Sequence, residues 1–185
     1  MIKRILSVVA LLVLSTTLSA QALVLDLSPA NGGVNGYAGA TVGWGYTVTN
    51  DSSDWVVLTA SDFSPLPSWG SYEDFFLTNL TKYVQLAPAG NSGDSWTESF
   101  NAQAQTGVGS FYIDNQANIG ATATGNITVS YDRYDGDPSN GGNQIGAYTV
   151  PVAASVTVDA VPEPSTFLLL GGGLVGFFWV RRKSS

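Results

Sequence analysis

Between residues 41 and 49 every second side chain is apolar: Val42, Trp44, Tyr46 and Val48 alternate with Thr41, Gly43, Gly45, Thr47 and Thr49. Successive side chains of a strand point to opposite faces, so this spacing turns one apolar face to a core and leaves the other polar. The same period returns in Ile127, Val129 and Tyr131, and again in Val150, Val152, Ala154, Val156 and Val158. Further strands are expected over residues 23–27, 55–59, 71–77, 95–101 and 108–114. Asn31-Gly32-Gly33, Asn91-Ser92-Gly93 and Asn140-Gly141-Gly142 supply turns between them. Residues 23–160 show no sustained helical period. Seven to nine short strands joined by polar turns predict an all-β fold, an antiparallel β-sandwich immunoglobulin-like in outline.

Charge and composition exclude much chemistry. Thirteen of the fourteen acidic residues fall within 23–160, against only Lys82 and Arg133. A surface of that sign repels a phosphate backbone, so no nucleic-acid partner is expected. The chain has neither cysteine nor histidine. That removes disulfides, thiolate nucleophiles, His-based triads and thiolate or imidazole metal sites. No cofactor is expected.

The two ends are apolar and differently built. Lys3 and Arg4, an apolar run over residues 5–14 and the small-residue pattern Ala20-Gln21-Ala22 predict a signal peptide over 1–22, cleaved after Ala22. At the other end, Val161-Pro162-Glu163-Pro164 precedes an apolar or glycine stretch over 167–180, and Arg181-Arg182-Lys183 follows at once. Each proline fixes its own φ and drives the residue before it toward extended backbone. A helix over 167–180 would run about 21 Å, short of the roughly 30 Å hydrocarbon core, yet the basic cluster suits a membrane stop on the cytoplasmic side. The expected organisation is signal peptide 1–22, exported β-domain 23–160 and tail 161–185 with a short transmembrane helix.

The tail resembles the PEP-CTERM sorting signal of Gram-negative bacteria, through Pro162-Glu163-Pro164, the apolar stretch and the basic end in that order. The resemblance implies processing by an exosortase, a membrane protein that cuts near the motif. It also implies export across the inner membrane, transient anchoring through 167–180, then release to the surface or matrix beside exopolysaccharide and biofilm. A non-enzymatic role is expected.

Other residues carry weaker suggestions. Asp132, Asp135, Asp137, Asn140 and Asn143 offer hard oxygen ligands of the kind calcium takes, but their spacing departs from an EF-hand, and a polar turn is the preferred reading. Among Trp44, Trp55, Trp69, Tyr72, Phe75, Phe76 and Trp96, Trp44 is expected in the core. Trp69 and Tyr72, following Pro65 and Pro67, are the better candidates for an exposed sugar platform. Glu73, Asp74 and Glu98 are the carboxylates a glycosidase could pair. Asn50, Asn79 and Asn126 head Asn-x-Ser/Thr sequons.

Overall fold

The computed structural model describes residues 23–79 and 81–161. Its strands in chain order are β1 (Leu23–Ser28), β2 (Gly33–Tyr37), β3 (Thr41–Asn50), β4 (Trp55–Ser64), β5 (Gly70–Asp74), β6 (Gln85–Leu86), β7 (Ser95–Glu98), β8 (Gly109–Ile113), β9 (Thr122–Tyr134) and β10 (Gln144–Asp159). One helical turn, α1 (Phe75–Thr78), follows β5. The strands form two sheets, β1-β3-β8-β5 with β7 also on β3, and β2-β10-β9-β4-β6. The expected all-β architecture holds. One pair departs from antiparallel: β2 runs parallel to β10 from Gly33 beside Ser155 to Tyr37 beside Asp159. The reason is a change of sheet without a change of direction. The chain leaves β3 after β1, passes residues 29–32, and joins the edge of β10 as β2.

The alternation read from the sequence produces the core. Trp44, Tyr46 and Val48 of β3 are buried and face Val56, Leu58 and Phe63 of β4, Ile127 and Val129 of β9, and Val150, Val156 and Val158 of β10. Trp44 stacks on Phe63 of the other sheet at 5.7 Å with 19° between the planes, and Phe111 of β8 meets Phe63 edge-on at 5.8 Å. The Trp44 indole N–H donates to the Gly32 carbonyl at 2.7 Å. Gly32 has φ +66°, and a Cβ there would lie 2.1 Å from the Ala153 carbonyl oxygen. No other residue fits the crossing without moving backbone.

Strands β7 and β8 lie end to end along the same edge of β3, β7 on Tyr46–Thr49 and β8 on Thr41–Trp44. Residues 99–108 between them leave the sheet and are pinned by the Asn101–Thr106 bridge. The expected strand over 71–77 ends instead at Asp74. Its carboxylate caps α1 by accepting from Phe76 N at 2.8 Å, and this turns Phe75 and Phe76 into the core.

Loops gather at two poles. At one, Gly39 N donates to Ile113 O, Asp114 N to Trp69 O and Gly120 N to Val158 O, so the β2–β3, β4–β5 and β8–β9 connections meet where β10 ends. At the other, Asn50 N donates to Asp94 O, Ala89 N to Ser52 O and Gln85 Nε2 to Asp137 Oδ1. Leu23 pairs with Asn50, so β1 starts at this second pole and the chain leaves the domain at the first.

Replacing Trp44 with Phe keeps most of the apolar area but removes one of the two hydrogen bonds to the Gly32 carbonyl, which still accepts from Ser155 N at 2.9 Å. We expect a loss of about 0.5–1.5 kcal/mol, read as a lower urea midpoint at unchanged far-ultraviolet dichroism.

Candidate functional site

One knot of polar groups centres on the buried Ser61 of β4 and draws in β5 and the residue leading into β8. Ser61 Oγ lies 2.8 Å from Tyr72 Oη, 2.8 Å from Asp74 Oδ1 and 2.7 Å from the Val108 carbonyl. Ser61 N donates to Asp74 Oδ2 at 2.9 Å. With one proton on each hydroxyl, Tyr72 donates to Ser61 and Ser61 to either Asp74 or Val108. A serine, a tyrosine and an aspartate this close have the composition of an activated nucleophile. Ser61 is buried, however, and the Asp74 carboxylate is already occupied by Ser61 and Phe76 N. The knot therefore joins three strands and the helix cap.

A second buried group surrounds Lys82. Its ammonium meets Glu98 Oε2 at 2.5 Å and donates to the Gly107 carbonyl. It lies 4.5 Å from the centre of the Phe76 ring and 5.3 Å from that of Tyr46. Glu98 also accepts from Gly107 N at 3.0 Å. Lys82 thus fastens the 99–108 excursion to the sandwich. Burial pushes its pKa down, against the pull of Glu98. The Tyr46 hydroxyl beside it is buried without a hydrogen bond; burial first, then the Glu98 carboxylate, holds its pKa above the ordinary 10.0. The domain's other cation, Arg133, pairs with Asp54 and lies over the Tyr148 ring at 5.3 Å. Both cations between residues 23 and 161 are thereby engaged, and the free charge on this part of the chain is acidic.

Most residues singled out from the sequence serve the fold. Asp135 accepts from Asn143 N at 2.7 Å and Asn143 Nδ2 at 3.3 Å. Asp137 accepts from Ser139 N, Asn140 Nδ2 and Gln85 Nε2, and those bonds, the Ser139 backbone first, lower its pKa. These are the bonds of a β9–β10 turn; among the described residues no group of three acidic side chains converges. Glu73 reaches Gln105 and Ser110, Asp74 caps α1, and Glu98 holds Lys82, so each carboxylate has its own structural partner.

The aromatic expectations divide. Trp44, Phe75 and Phe76 are buried. Trp69 and Tyr72 correct the exposed-platform reading: both pack on the core, Trp69 edge-on to Phe111 at 5.7 Å and Tyr72 tilted against Trp44 at 6.4 Å. Trp55 is half-buried on the outer face of β4, whereas Trp96 is 46% exposed. Asn50 is wholly buried, donating to Asp54 O and Ala87 O and accepting from Ser52, so its amide is the hub of the β3–β4 turn. Asn79 likewise accepts from Thr81, and Asn126 is exposed. Neither Lys82–Glu98 nor the Ser61 knot was foreseen; the lone internal lysine among so many acids was the available signal.

Val161 is exposed two residues beyond β10. Ala22, Pro162, Glu163, Pro164, Arg181, Arg182, Lys183 and the expected membrane stretch 167–180 lie outside the described residues. Among the described residues no helix is long and apolar enough to cross a membrane.

Residues 160–183 match the PEP-CTERM protein-sorting motif. No curated protein matches the chain. Among solved structures, VesB protease of Vibrio cholerae is 20% identical at a TM-score of 0.36, over 76% of this chain and 32% of that one. WR4, an MSP family member of C. elegans, is 11% identical at a TM-score of 0.33, over 72% of this chain and 96% of that one. The chain thus spans about a third of the first of these, and overlays this loose carry neither fold nor activity across.

The buried hydroxyls give a pH dependence. Tyr46 and Tyr72 are held above 10.0 in the fold, so above pH 10 the unfolded chain loses protons that the folded chain keeps, and stability falls as pH rises. Lys82, depressed in the fold, gives the opposite slope only up to its ordinary 10.5. Urea titrations should show stability falling above that pH, less steeply in Tyr46→Phe and Tyr72→Phe. Because the Tyr46 hydroxyl has no partner, Tyr46→Phe should leave stability at neutral pH unchanged or raise it by up to about 1 kcal/mol, whereas Tyr72→Phe should lower it.

Proposed function

We propose, from the PEP-CTERM sorting motif this chain carries, that it is an exported, exosortase-processed surface or matrix protein with a non-enzymatic β-domain. The observation that carries the reading is the position of the motif: it begins at residue 160, directly after the last strand ends at Asp159. Because Pro162 and Pro164 restrict the backbone, the segment would lose little entropy on entering a processing enzyme, which favours recognition there. The signal sequence over 1–22 supplies export, and the apolar stretch 167–180 with Arg181-Arg182-Lys183 supplies a temporary hold in the inner membrane.

The strand order supports an immunoglobulin-like sandwich for the exported part. An edge strand that changes sheet and runs parallel to the final strand, with antiparallel pairing throughout the rest of two five-stranded sheets, fits that fold. Structural partners for Glu73, Asp74, Glu98 and Ser61 favour a role without turnover. Association with exopolysaccharide is the role the sorting system brings, and the exposed Tyr83 and Trp96 are among the aromatics open to sugar.

Changing Pro162-Glu163-Pro164 to three alanines in an exosortase-bearing host should leave the tail on the protein and keep it with the inner membrane, read by intact mass and fractionation. Equal processing and release would remove the motif's role. Titration calorimetry with the host's polysaccharide tests the partner, and absence of heat would count against it.

A further inference from the structure

The two poles of the sandwich differ in charge. The pole where β1 begins carries Asp51, Asp54, Asp94, Asp132, Asp135 and Asp137, with Arg133 already paired to Asp54. At the opposite pole, the β2–β3 and β4–β5 connections have no charged residue, the β8–β9 connection has only Asp114, and β10 ends on the exposed Asp159, so this end carries two acids against six. There the apolar side chains stand out: Tyr37 is 50% exposed, Leu66 54%, Ile119 71% and Val161 60%. They come from the end of β2, two connections and the start of the tail, which hydrogen bonds hold at one end of the sandwich. Leu66 and Ile119 are long side chains on loops, pinned by Asp114 N to Trp69 O and Gly120 N to Val158 O, and neither enters the core. Exposed apolar residues gathered on the less charged end mark a contact surface.

We propose that this pole rests on the membrane interface while the tail holds the chain there, with Leu66 and Ile119 seated at the headgroup–acyl boundary. The inference rests on the reading that residues 167–180 enter the bilayer. Five residues separate Val161 from Phe167, and the six steps between them can span no more than about 22 Å. The pole is therefore kept within that distance of where the tail enters, whereas the acidic pole faces away. The occupant is a lipid surface because the pole offers apolar tips and little charge to desolvate, and a tether already brings it there. Held this way, the domain stands upright on the membrane and presents Val161 and the motif at the bilayer surface, where a membrane-embedded processing enzyme works.

The absence of cysteine makes the test direct, since one introduced thiol can carry a polarity-sensitive fluorophore. The full-length chain, reconstituted in phosphatidylcholine vesicles with or without brominated lipid, would be labelled in turn at Leu66→Cys, Ile119→Cys, Asn140→Cys on the acidic pole, and Phe167→Cys in the tail. We expect the probes at 66 and 119 to shift to the blue and to be quenched by brominated lipid severalfold more than the probe at 140. A quenched probe at 167 with aqueous probes at 66 and 119 would overturn the seating of the pole and leave the tail reading intact. An aqueous probe at 167 would sink the tail reading and the proposal with it. A blue shift at 66 and 119 that grows with protein concentration in the absence of vesicles would assign the surface to a second copy of the chain and overturn the membrane as occupant.

Discussion

The contact between Trp44 and the residues around it is the one on which the arrangement of both sheets depends. Its ring stacks on Phe63 across the sandwich, and its N–H takes up the Gly32 carbonyl at the point where the chain changes sheets. The same carbonyl accepts from Ser155 N of β10 at 2.9 Å, so the crossing is held from both sheets. Trp44 thereby links the separation of the sheets to the path of the crossing between them. The parallel β2–β10 pair follows from that crossing, and β10 gains a neighbour on each side.

Much of this was legible in the residues. The period of two in β3, β9 and β10 identified the strands and the side of each that is buried, because in a half-buried strand pattern and burial are the same constraint. The crossing was not legible. Gly33 to Tyr37 holds a single buried residue, Val34, too little for a pattern, and its pairing is set by the distant Trp44 and Ala153. Trp69 and Tyr72 misled for a related reason. Nearby prolines describe only the local chain, whereas burial of these rings was decided by Phe111 and Trp44 from other strands. The end of β5 was legible in principle, since Asp74 before two phenylalanines is a helix-cap signal, but the apolar run concealed it.

The candidate site divides in the same way. Asp137 and Asn140 act locally, so a turn could be read from their types alone. Lys82 and Glu98 are sixteen residues apart and meet only because β7 is displaced from β8 by the 99–108 excursion. Three buried polar clusters, around Ser61, Asn50 and Lys82, each tie together segments distant in sequence. In a domain without disulfides, such clusters favour one register over its neighbours, since a slip would strand every polar member at once.

The placement of the tail on β10 has a mechanical consequence. β10 lies within its sheet, bonded to β2 on one side and to β9 on the other, and it runs the length of the domain from one pole to the other. If the far pole is dragged by flow while the tail is held, the load enters β10 along its axis and shears both ladders. Bonds loaded side by side share the force and must fail together, unlike those of a strand peeled from an edge. A chain of modest thermodynamic stability can in this way resist tension well, provided the tension arrives through its last strand.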